Sequence, residues 1–278
     1  MHTGKQDAGK SPVPENMMPK LIDAHTHVQF KEFDQDRNEV IKRALDERIW
    51  LVNAGANKDW SLKAVELAEK YPFGVWATVG LHPDDTEKFD YSFYKNLATK
   101  EKVVAIGECG LDYYRIEPED QKTKDAQKEI FTEQIRLANE IKKPLVIHCR
   151  QAFEDLIEIL ESNKKLLNNP PGIIHFFTGS PKDAERLLEI GFNFTFGGLV
   201  TYNRDFDEII RKIPLERIML ETDAPFVSPE PFRRKRNEPL YVEKVAEKIS
   251  EIKNVSFEEV CEKTTANTID IFNLKEYN

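Results

Sequence analysis

The sequence has little cysteine and no long hydrophobic run. Its 278 residues include three cysteines, Cys109, Cys149 and Cys261. Three is an odd number and no CxxC spacing occurs, so we predict neither a disulfide framework nor a cysteine metal site. No stretch approaches the roughly 18 uncharged apolar residues of a membrane span, and the first residues lack the apolar core of a secretion signal. We therefore expect a cytoplasmic protein that does not enter a membrane.

Positive charge is also in deficit. The chain has 40 Lys and Arg against 49 Asp and Glu, a net charge of −9. This balance argues against a protein that coats nucleic acid with its whole surface, but it leaves room for a local phosphate site. Apolar residues make up 40% of the chain, which is enough for a sizeable core.

The first 19 residues differ in composition from the rest. Residues 1–19 are rich in Gly, Pro, Ser and charge and have no apolar period, so they predict a flexible tail or an added extension. No linker-like segment divides the chain after that point. We therefore predict one domain over residues 20–278.

Short apolar runs alternate with amphipathic segments along that domain. Eight near-continuous runs are typical of parallel strands buried on both faces: 21–28, 50–54, 75–81, 103–106, 145–149, 173–177, 192–196 and 218–220. Apolar residues at three- and four-residue spacing predict helices at 37–48, 61–70, 121–141, 153–162 and 183–190. Eight such units favour a closed α/β barrel of the (β/α)8, or TIM, type over an open doubly wound sheet. Segments 242–252 and 257–272 are then C-terminal helices that cover it.

Five of the six histidines lie on or directly after predicted strands. They are His25 and His27 on the first strand, His82 after the third, His148 on the fifth and His175 on the sixth. A barrel gathers the C-terminal ends of its strands at one pocket, and residues two apart on a strand share a face. We therefore expect a metal site, although the first pair taken alone also suits core histidines bonded to backbone carbonyls.

Two carboxylates complete this set. Glu108 follows the fourth predicted strand and Asp223 follows the eighth. Either residue alone also suits a helix cap or a turn. Four imidazoles and two carboxylates exceed the about four ligands of one zinc, but they suit two divalent ions that share a bridging carboxylate. Such a pair activates water and holds both oxygens of a phosphoryl displacement, so the residues predict a dinuclear hydrolase.

Seven motifs resemble those of the TatD family of metal-dependent deoxyribonucleases, in the amidohydrolase superfamily of barrels. They occur in family order from residue 21 to about 272: DAHTH at 23–27, GLHP at 80–83, IGECGLD at 106–112, VIHCR at 146–150, IHFFTG at 174–179, ETDAP at 221–225 and RNEP at 236–239. Amidohydrolases such as the hydantoinases usually have a carboxylated lysine where this chain has Glu108. That difference favours the TatD branch over an amidase.

The resemblance implies two divalent metal ions per chain, Mg²⁺, Mn²⁺ or Zn²⁺. It assigns one ion to His25, His27 and Asp223, the other to His148 and His175, and the bridge to Glu108. Glu108 and Asp223 are the expected catalytic residues, with Asp223 orienting the attacking water and accepting its proton. Cys149 and Gln151 stand where the family commonly has Ser and Asp, and neither is an expected ligand. Strand alternation should turn Cys109 and Cys149 away from the metals and into the core.

Substrate contacts are expected at the mouth of the barrel. His82, Arg115 and Arg150 follow the third, fourth and fifth predicted strands and suit contacts with phosphate or a leaving group, although each also suits a surface ion pair or turn contact. The basic run 233–236 suits the steering of a polyanion, or equally a solvated loop. Tyr202 and Phe232 suit base stacking as well as packing.

These features predict a DNase that removes nucleotides in the 3′–5′ direction by phosphodiester hydrolysis. No recognition-helix motif is present, so single-stranded DNA or 3′ ends are the expected partners of a chain acting as a monomer. The alternative is a carbonyl-ester hydrolase on the same site, such as a D-aminoacyl-tRNA deacylase with tRNA as partner. A barrel that only binds nucleic acid is least favoured, because convergent ligands have no purpose there and the charge of −9 gives little affinity.

Overall fold

Eight parallel strands form the centre of the molecule in a computed structural model that describes residues 18–85 and 87–274. Each strand pairs with the next along the chain, in the order β1 to β8. The strands are β1 Leu21–Thr26, β2 Ile49–Asn53, β3 Val75–Val79, β4 Val103–Asp112, β5 Leu145–Arg150, β6 Gly172–Ile174, β7 Asn193–Phe196 and β8 Ile218–Leu220. The predicted tail falls almost wholly on residues 1–17, outside the described residues.

The first strand meets the chain directly after the last one. The backbone N–H of Asp223 donates to the carbonyl of His25 at 2.9 Å, and His27 N–H donates to the carbonyl of Ala224 at 2.8 Å. These bonds bring β1 beside the segment that follows β8. The sheet is therefore a nearly closed barrel, and the predicted (β/α)8 fold is confirmed.

Helices follow the strands around the outside. They are α1 Arg37–Asp46, α2 Lys58–Glu69, α3 Tyr91–Ala98, α4 Gln121–Ile141, α5 Phe153–Ser162, α6 Pro181–Ile190, α7 Asp207–Lys212, α8 Val242–Lys253 and α9 Phe257–Phe272. The two C-terminal helices agree with the prediction, whereas the short helices α3 and α7 were not predicted. Within residues 18–85 and 87–274, no helix is both long and apolar enough to cross a membrane.

The core has two parts. One hydrophobic cluster fills the barrel interior with side chains from seven strands and with the end of α9: Ile22, Trp50, Trp76, Val104, Val146, Ile173, Met219, Ile271 and Phe272. The other lies between strands and helices and includes Cys109 and Cys149, which are buried as expected. The interior cluster closes one end of the barrel. The polar site described below lies at the opposite end, where the strands finish.

The fourth strand is longer than predicted. The apolar run stops at Ile106, yet β4 continues to Asp112 and all ten of its residues are buried. Its pairing with β5 shifts register between Ile106 and Cys109. Glu108 therefore lies within β4 rather than after it, which corrects the expectation. A search for apolar runs missed this part because two glycines and the polar residues Glu108 and Asp112 interrupt the apolar ones.

The buried carboxylate of Asp23 stabilises the seam of the barrel, where β1 lies beside the segment that follows β8. It accepts hydrogen bonds from the N–H of Thr222 at 2.8 Å and from its hydroxyl at 2.5 Å. Burial raises the pKa of Asp23 well above its ordinary value, although the bonds from Thr222 lower it. The side chain thus joins β1 to the segment that carries Asp223.

We expect Asp23→Ala to lower the free energy of unfolding by about 2 to 4 kcal/mol, because it leaves the N–H of Thr222 buried without an acceptor and leaves the hydroxyl only the longer contact to Thr26 at 3.4 Å. Urea unfolding monitored by circular dichroism measures the change. Asp205→Ala, at an exposed position, is the matched control and should change stability by about 0.5 kcal/mol or less. Equal stability of the two variants would contradict a role for Asp23 in the seam.

Candidate metal centre

Glu108 lies at the centre of the polar site and is 4% exposed. Its Oε2 lies 3.4 Å from Nε2 of His25 and 3.7 Å from Nε2 of His27. Its Oε1 faces a different group: His148 Nδ1 at 3.0 Å, His175 Nε2 at 3.3 Å and His82 Nε2 at 3.4 Å. The two oxygens of one carboxylate thus face two separate groups of imidazoles.

Two glycines allow the backbone around Glu108 to pack tightly. A Cβ on Gly107 would lie 2.6 Å from the Cβ of Val146, and a Cβ on Gly80 would lie 2.7 Å from the carbonyl carbon of Gly107. Glu108 N–H also donates to the carbonyl of Gly55 at 2.7 Å. These contacts fix the backbone of Glu108, and with it the point from which the side chain projects, between β3 and β5.

Asp223 reaches the same site from the turn after β8. Its Oδ1 lies 3.4 Å from His27 Nε2 and 3.8 Å from His25 Nε2. The residue has φ of 55°, in the left-handed region that costs a non-glycine residue about 1 to 3 kcal/mol. The fully buried amide of Asn237 holds this turn, because its Nδ2 donates to the carbonyls of Thr222 and Phe226, each at 2.7 Å.

The outer hydrogen bonds of the histidines set their tautomers. His27 Nδ1 lies 2.9 Å from the carbonyl of Ala54, and His175 Nδ1 lies 3.0 Å from Glu221 Oε2. Both partners only accept, so in the neutral rings Nδ1 carries the hydrogen and Nε2 turns its lone pair to the site. Burial lowers the pKa of His175, but Glu221 and Glu108 outweigh it and raise that pKa well above the ordinary value. A cation at Nε2 would compete with the proton that this ring then carries toward Glu108. Histidines that ligate metals show this pattern of outer bonds, so the donor set fits a metal.

The two carboxylates of the site, Glu108 and Asp223, are ionised at neutral pH. Burial raises the pKa of Glu108, but the surrounding histidines outweigh it and hold that pKa well below the ordinary value. Asp223 shows the same balance, with the hydrogen bond to His27 and the nearby His175 lowering its pKa against burial. Burial lowers the pKa of His25. Ionised carboxylates beside a buried imidazole that favours its neutral form suit divalent cations.

The pKa of His148 shifts in the opposite direction from that of His25. Burial lowers its pKa, but hydrogen bonds to Asp112 and Glu108 outweigh this effect and raise the pKa to about 9. The Asp112 carboxylate lies 2.9 Å from His148 Nε2, on the side of the ring away from Glu108. Asp112 therefore orients this ring as Glu221 orients His175.

All six residues expected as metal ligands come together at this end of the barrel. Donor atoms within 4.8 Å of one another form three groups: His25, His175 and Asp223; His25, His27 and Glu108; and His82, Glu108 and His148. These groups differ in part from the expected division, because His175 lies with His25 and Asp223 rather than with His148. The His175 ring stacks on His25 with centroids 3.7 Å apart, so it borders both halves of the site. His82, expected to contact substrate, lies among the candidate ligands.

The other two expected substrate contacts, Arg150 and Arg115, differ in how the protein holds them. The Arg150 guanidinium lies 3.4 Å from the centroid of the Tyr114 ring at the end of β5, and both residues are exposed. Arg115 is exposed on the loop between β4 and α4 and has no hydrogen bond or ion pair to another described residue. The contact with Tyr114 thus holds the Arg150 guanidinium in a defined position, whereas no hydrogen bond or ion pair among the described residues holds Arg115.

The basic run and the two rim aromatics contact one another and neighbouring loops. Arg236 forms an ion pair with Asp36 at 2.6 Å. The Arg233 guanidinium lies 4.2 Å from the centroid of Tyr202, and the ring of Phe232 stacks on Tyr241 at 3.9 Å. Each ring therefore packs against another side chain, which agrees with the packing alternative for Tyr202 and Phe232 and leaves the stacking alternative open.

Sequence reasoning missed three residues that position the site. Asp112, Glu221 and Asn237 contact histidines or the Asp223 turn rather than the centre itself. A signal was available, because each is a polar residue inside a motif that also carries, or lies close to, an expected ligand. Their function became visible only from the hydrogen bonds of the ligands.

We expect Glu221→Gln to weaken metal binding by about 10- to 100-fold, the usual effect of losing an outer partner of a metal-ligating histidine. The amide keeps the volume of Glu221 but removes the charge that faces His175 Nδ1. Isothermal titration calorimetry of the metal-free protein with Mn²⁺ or Zn²⁺ measures the affinity. Glu208→Gln, on the exposed side of α7, should not change it, and an unchanged affinity for Glu221→Gln would contradict the positioning role.

Comparisons with known proteins show the family to which the chain belongs. The family model described as TatD related DNase matches residues 22–273. The uncharacterized metal-dependent hydrolase YabD of Bacillus subtilis is 42% identical over 262 residues, covering 91% of this chain and 99% of its own. The 3′-5′ ssDNA/RNA exonuclease TatD of Pectobacterium parmentieri is 31% identical over 242 residues, covering 83% and 91%.

A solved structure has a similar fold. The crystal structure of YjjV, a TatD homologue from Escherichia coli, superposes with a TM-score of 0.83 at 28% identity and covers 91% of this chain and 98% of its own. The motifs that resemble this family thus extend over nearly the whole barrel. The chain belongs to the TatD-related DNase family of metal-dependent hydrolases.

Proposed function

We propose that this protein hydrolyses phosphodiester bonds of single-stranded DNA from the 3′ end, with two divalent metal ions. The observation that carries the proposal is the position of Glu108, whose two oxygens face two groups of imidazoles. A carboxylate in this position suits the bridge between two metal ions.

The residues divide into two sets around that bridge. His25, His27 and Asp223 would hold one ion, and His148 and His175 the other. Two bound ions lower the pKa of a water molecule and stabilise charge on phosphate oxygens. His82 lies 3.4 Å from Glu108 and borders the second set.

Asp223 acts as the general base in this proposal. Its carboxylate is ionised at neutral pH because its pKa is lowered, and it projects from a turn that several hydrogen bonds hold in place. It therefore accepts the proton of the attacking water. Arg150 supplies a cation at the mouth of the barrel, where a flanking phosphate of the strand would lie.

Support for DNA as substrate comes from a relative and from charge. The Pectobacterium relative is named a 3′-5′ ssDNA/RNA exonuclease. The acidic chain, with a net charge of −9, suits local contacts with one strand better than contact with duplex DNA along the whole surface.

The test uses metal-stripped protein with single-stranded DNA labelled at either end, and D-aminoacyl-tRNA in parallel, with Mg²⁺, Mn²⁺ or Zn²⁺ added in turn. We expect metal-dependent shortening of 5′-labelled strands in single-nucleotide steps, and immediate release of a 3′ label as mononucleotide. Intact DNA together with metal-dependent deacylation would contradict the nuclease and favour a carbonyl-ester hydrolase.

A further inference from the structure

A second concave site lies beside the metal centre. A cavity of about 250 Å³ opens between α2 and the segment that leads from β1 to α1. Gln29, Lys31, Trp60, Lys63 and Lys70 are among the residues that line it. Its volume is slightly below the about 300 to 1,000 Å³ of typical ligand pockets, so it suits one small unit of a larger molecule.

A row of aromatic rings connects this cavity to the centre. The Phe30 ring stacks on His27 with centroids 4.5 Å apart, and it lies 4.6 Å from the ring of Trp60. Phe226 is 47% exposed and lies 6.3 Å from Phe30, on the turn that carries Asp223. A strand whose phosphate lies at the centre therefore has ring faces beside it in the direction of the cavity.

Gln29 contributes a buried acceptor that has no partner. Its Nε2 donates to the carbonyl of Ala54 at 2.6 Å, which fixes the orientation of the amide because that carbonyl only accepts. Its Oε1 is buried and makes no hydrogen bond within residues 18–85 and 87–274, although the residue is only 3% exposed. A buried acceptor without a donor is unfavourable, so a ligand that brings an N–H group fits here.

The rim of the cavity is mainly cationic. Lys31 and Lys70 are exposed and form no ion pair among the described residues. Lys63 pairs with Asp59 at 2.7 Å and lies 4.4 Å from the centroid of Trp60. Of the acids in the lining, Asp34 is paired with Arg37, and Glu66 is exposed on α2.

We propose that this cavity binds a nucleotide unit of the single-stranded DNA substrate, next to the bond that is cleaved. The base stacks on Trp60, an amino or imino N–H of the base donates to Gln29 Oε1, and the backbone phosphate lies near Lys31 and Lys70. An aromatic face, a buried amide oxygen and free lysines together match the three chemical parts of a nucleotide. This inference rests on the proposed function, because the strand is the same substrate.

Tryptophan fluorescence gives a direct test of binding. The chain has three tryptophans, and Trp50 and Trp76 are 1% and 0% exposed, so Trp60 is the one that a ligand reaches. Metal-loaded protein is titrated with phosphorothioate oligothymidylate, which resists hydrolysis, and separately with free thymidine monophosphate. We expect the oligonucleotide to quench the emission, and Trp60→Ala to abolish the quenching.

Kinetics test the same subsite through KM. We expect Trp60→Ala to raise KM for oligonucleotides by about 10-fold while changing kcat by less than about 3-fold, because loss of one stacked base weakens binding of the strand. Trp60→Phe keeps a ring and should restore most of the affinity. Leu62→Ala, on α2 at a position 41% exposed, is the matched control and should leave KM unchanged.

The outcomes separate this inference from the proposed function. Unchanged KM in Trp60→Ala together with emission that does not respond to the strand would overturn the subsite and leave the nuclease intact. Quenching by the free mononucleotide but not by the oligonucleotide would also overturn it. If the wild-type protein degrades no DNA with any metal, the proposed function fails. The subsite then stands only if the strand still quenches Trp60, and it falls with the function if no quenching occurs.

Discussion

Replacement of Asp223 by asparagine should lower kcat for DNA hydrolysis by about 1,000-fold, within the range of a lost general base. The amide has almost the same shape and can remain in the turn that Asn237 holds. It cannot accept a proton, however, and it removes one negative charge from beside His25 and His27. The rate of shortening of a labelled oligonucleotide at saturating metal measures the effect.

Two controls distinguish loss of the base from loss of the fold or of a metal. The melting temperature of Asp223→Asn should stay close to that of the wild type, and calorimetry should still detect metal binding. Asp205→Asn, at an exposed position, should retain full activity. A rate for Asp223→Asn within about 3-fold of the wild type would show that another group accepts the proton.

Glu108→Gln should abolish measurable activity and reduce the number of metal ions bound per chain. Glu108 is the one described carboxylate whose two oxygens face both groups of imidazoles. An amide gives the bridge one oxygen and one N–H group, and an N–H group does not ligate a cation. Because bound metal ions contribute several kcal/mol to stabilising the charge that develops on phosphate, we expect a loss of at least about 1,000-fold in kcat.

Metal content by mass spectrometry under native conditions measures the stoichiometry. Glu108→Asp, which keeps a carboxylate on a shorter arm, should retain more activity than Glu108→Gln, and Glu208→Gln should match the wild type. Two ions per chain in an active Glu108→Gln protein would contradict the bridging role.

The sequence predicts the barrel because its strands are buried on both faces and therefore appear as apolar runs. Seven of the eight runs end within a few residues of the observed strands. The exception is β4, whose second half carries Gly107, Glu108, Gly110 and Asp112. Here the strand is held by pairing with β5, by tight backbone contacts and by the buried side chains of Cys109 and Leu111. A search for continuous apolar runs misses a strand in which glycines and polar site residues separate the apolar ones.

The residues at the centre of the site can also be predicted from the sequence, whereas their hydrogen-bond partners cannot. Ligand candidates stand at the ends of strands, so barrel geometry alone brings them together. The partners of the ligands are different, because Glu221 and Asp112 act on the outer nitrogens of His175 and His148. Their roles depend on the orientation of two rings, which spacing along the chain does not contain. The same holds for Gln29, whose buried oxygen becomes notable only beside the cavity.

Anomalous diffraction from crystals grown with Mn²⁺ or Zn²⁺ tests the central claim most directly. The account predicts two peaks, one among His25, His27 and Asp223 and the other beside His148 and His175, with Glu108 between them. A single peak, or two peaks that do not have Glu108 between them, would contradict a dinuclear centre bridged by this carboxylate.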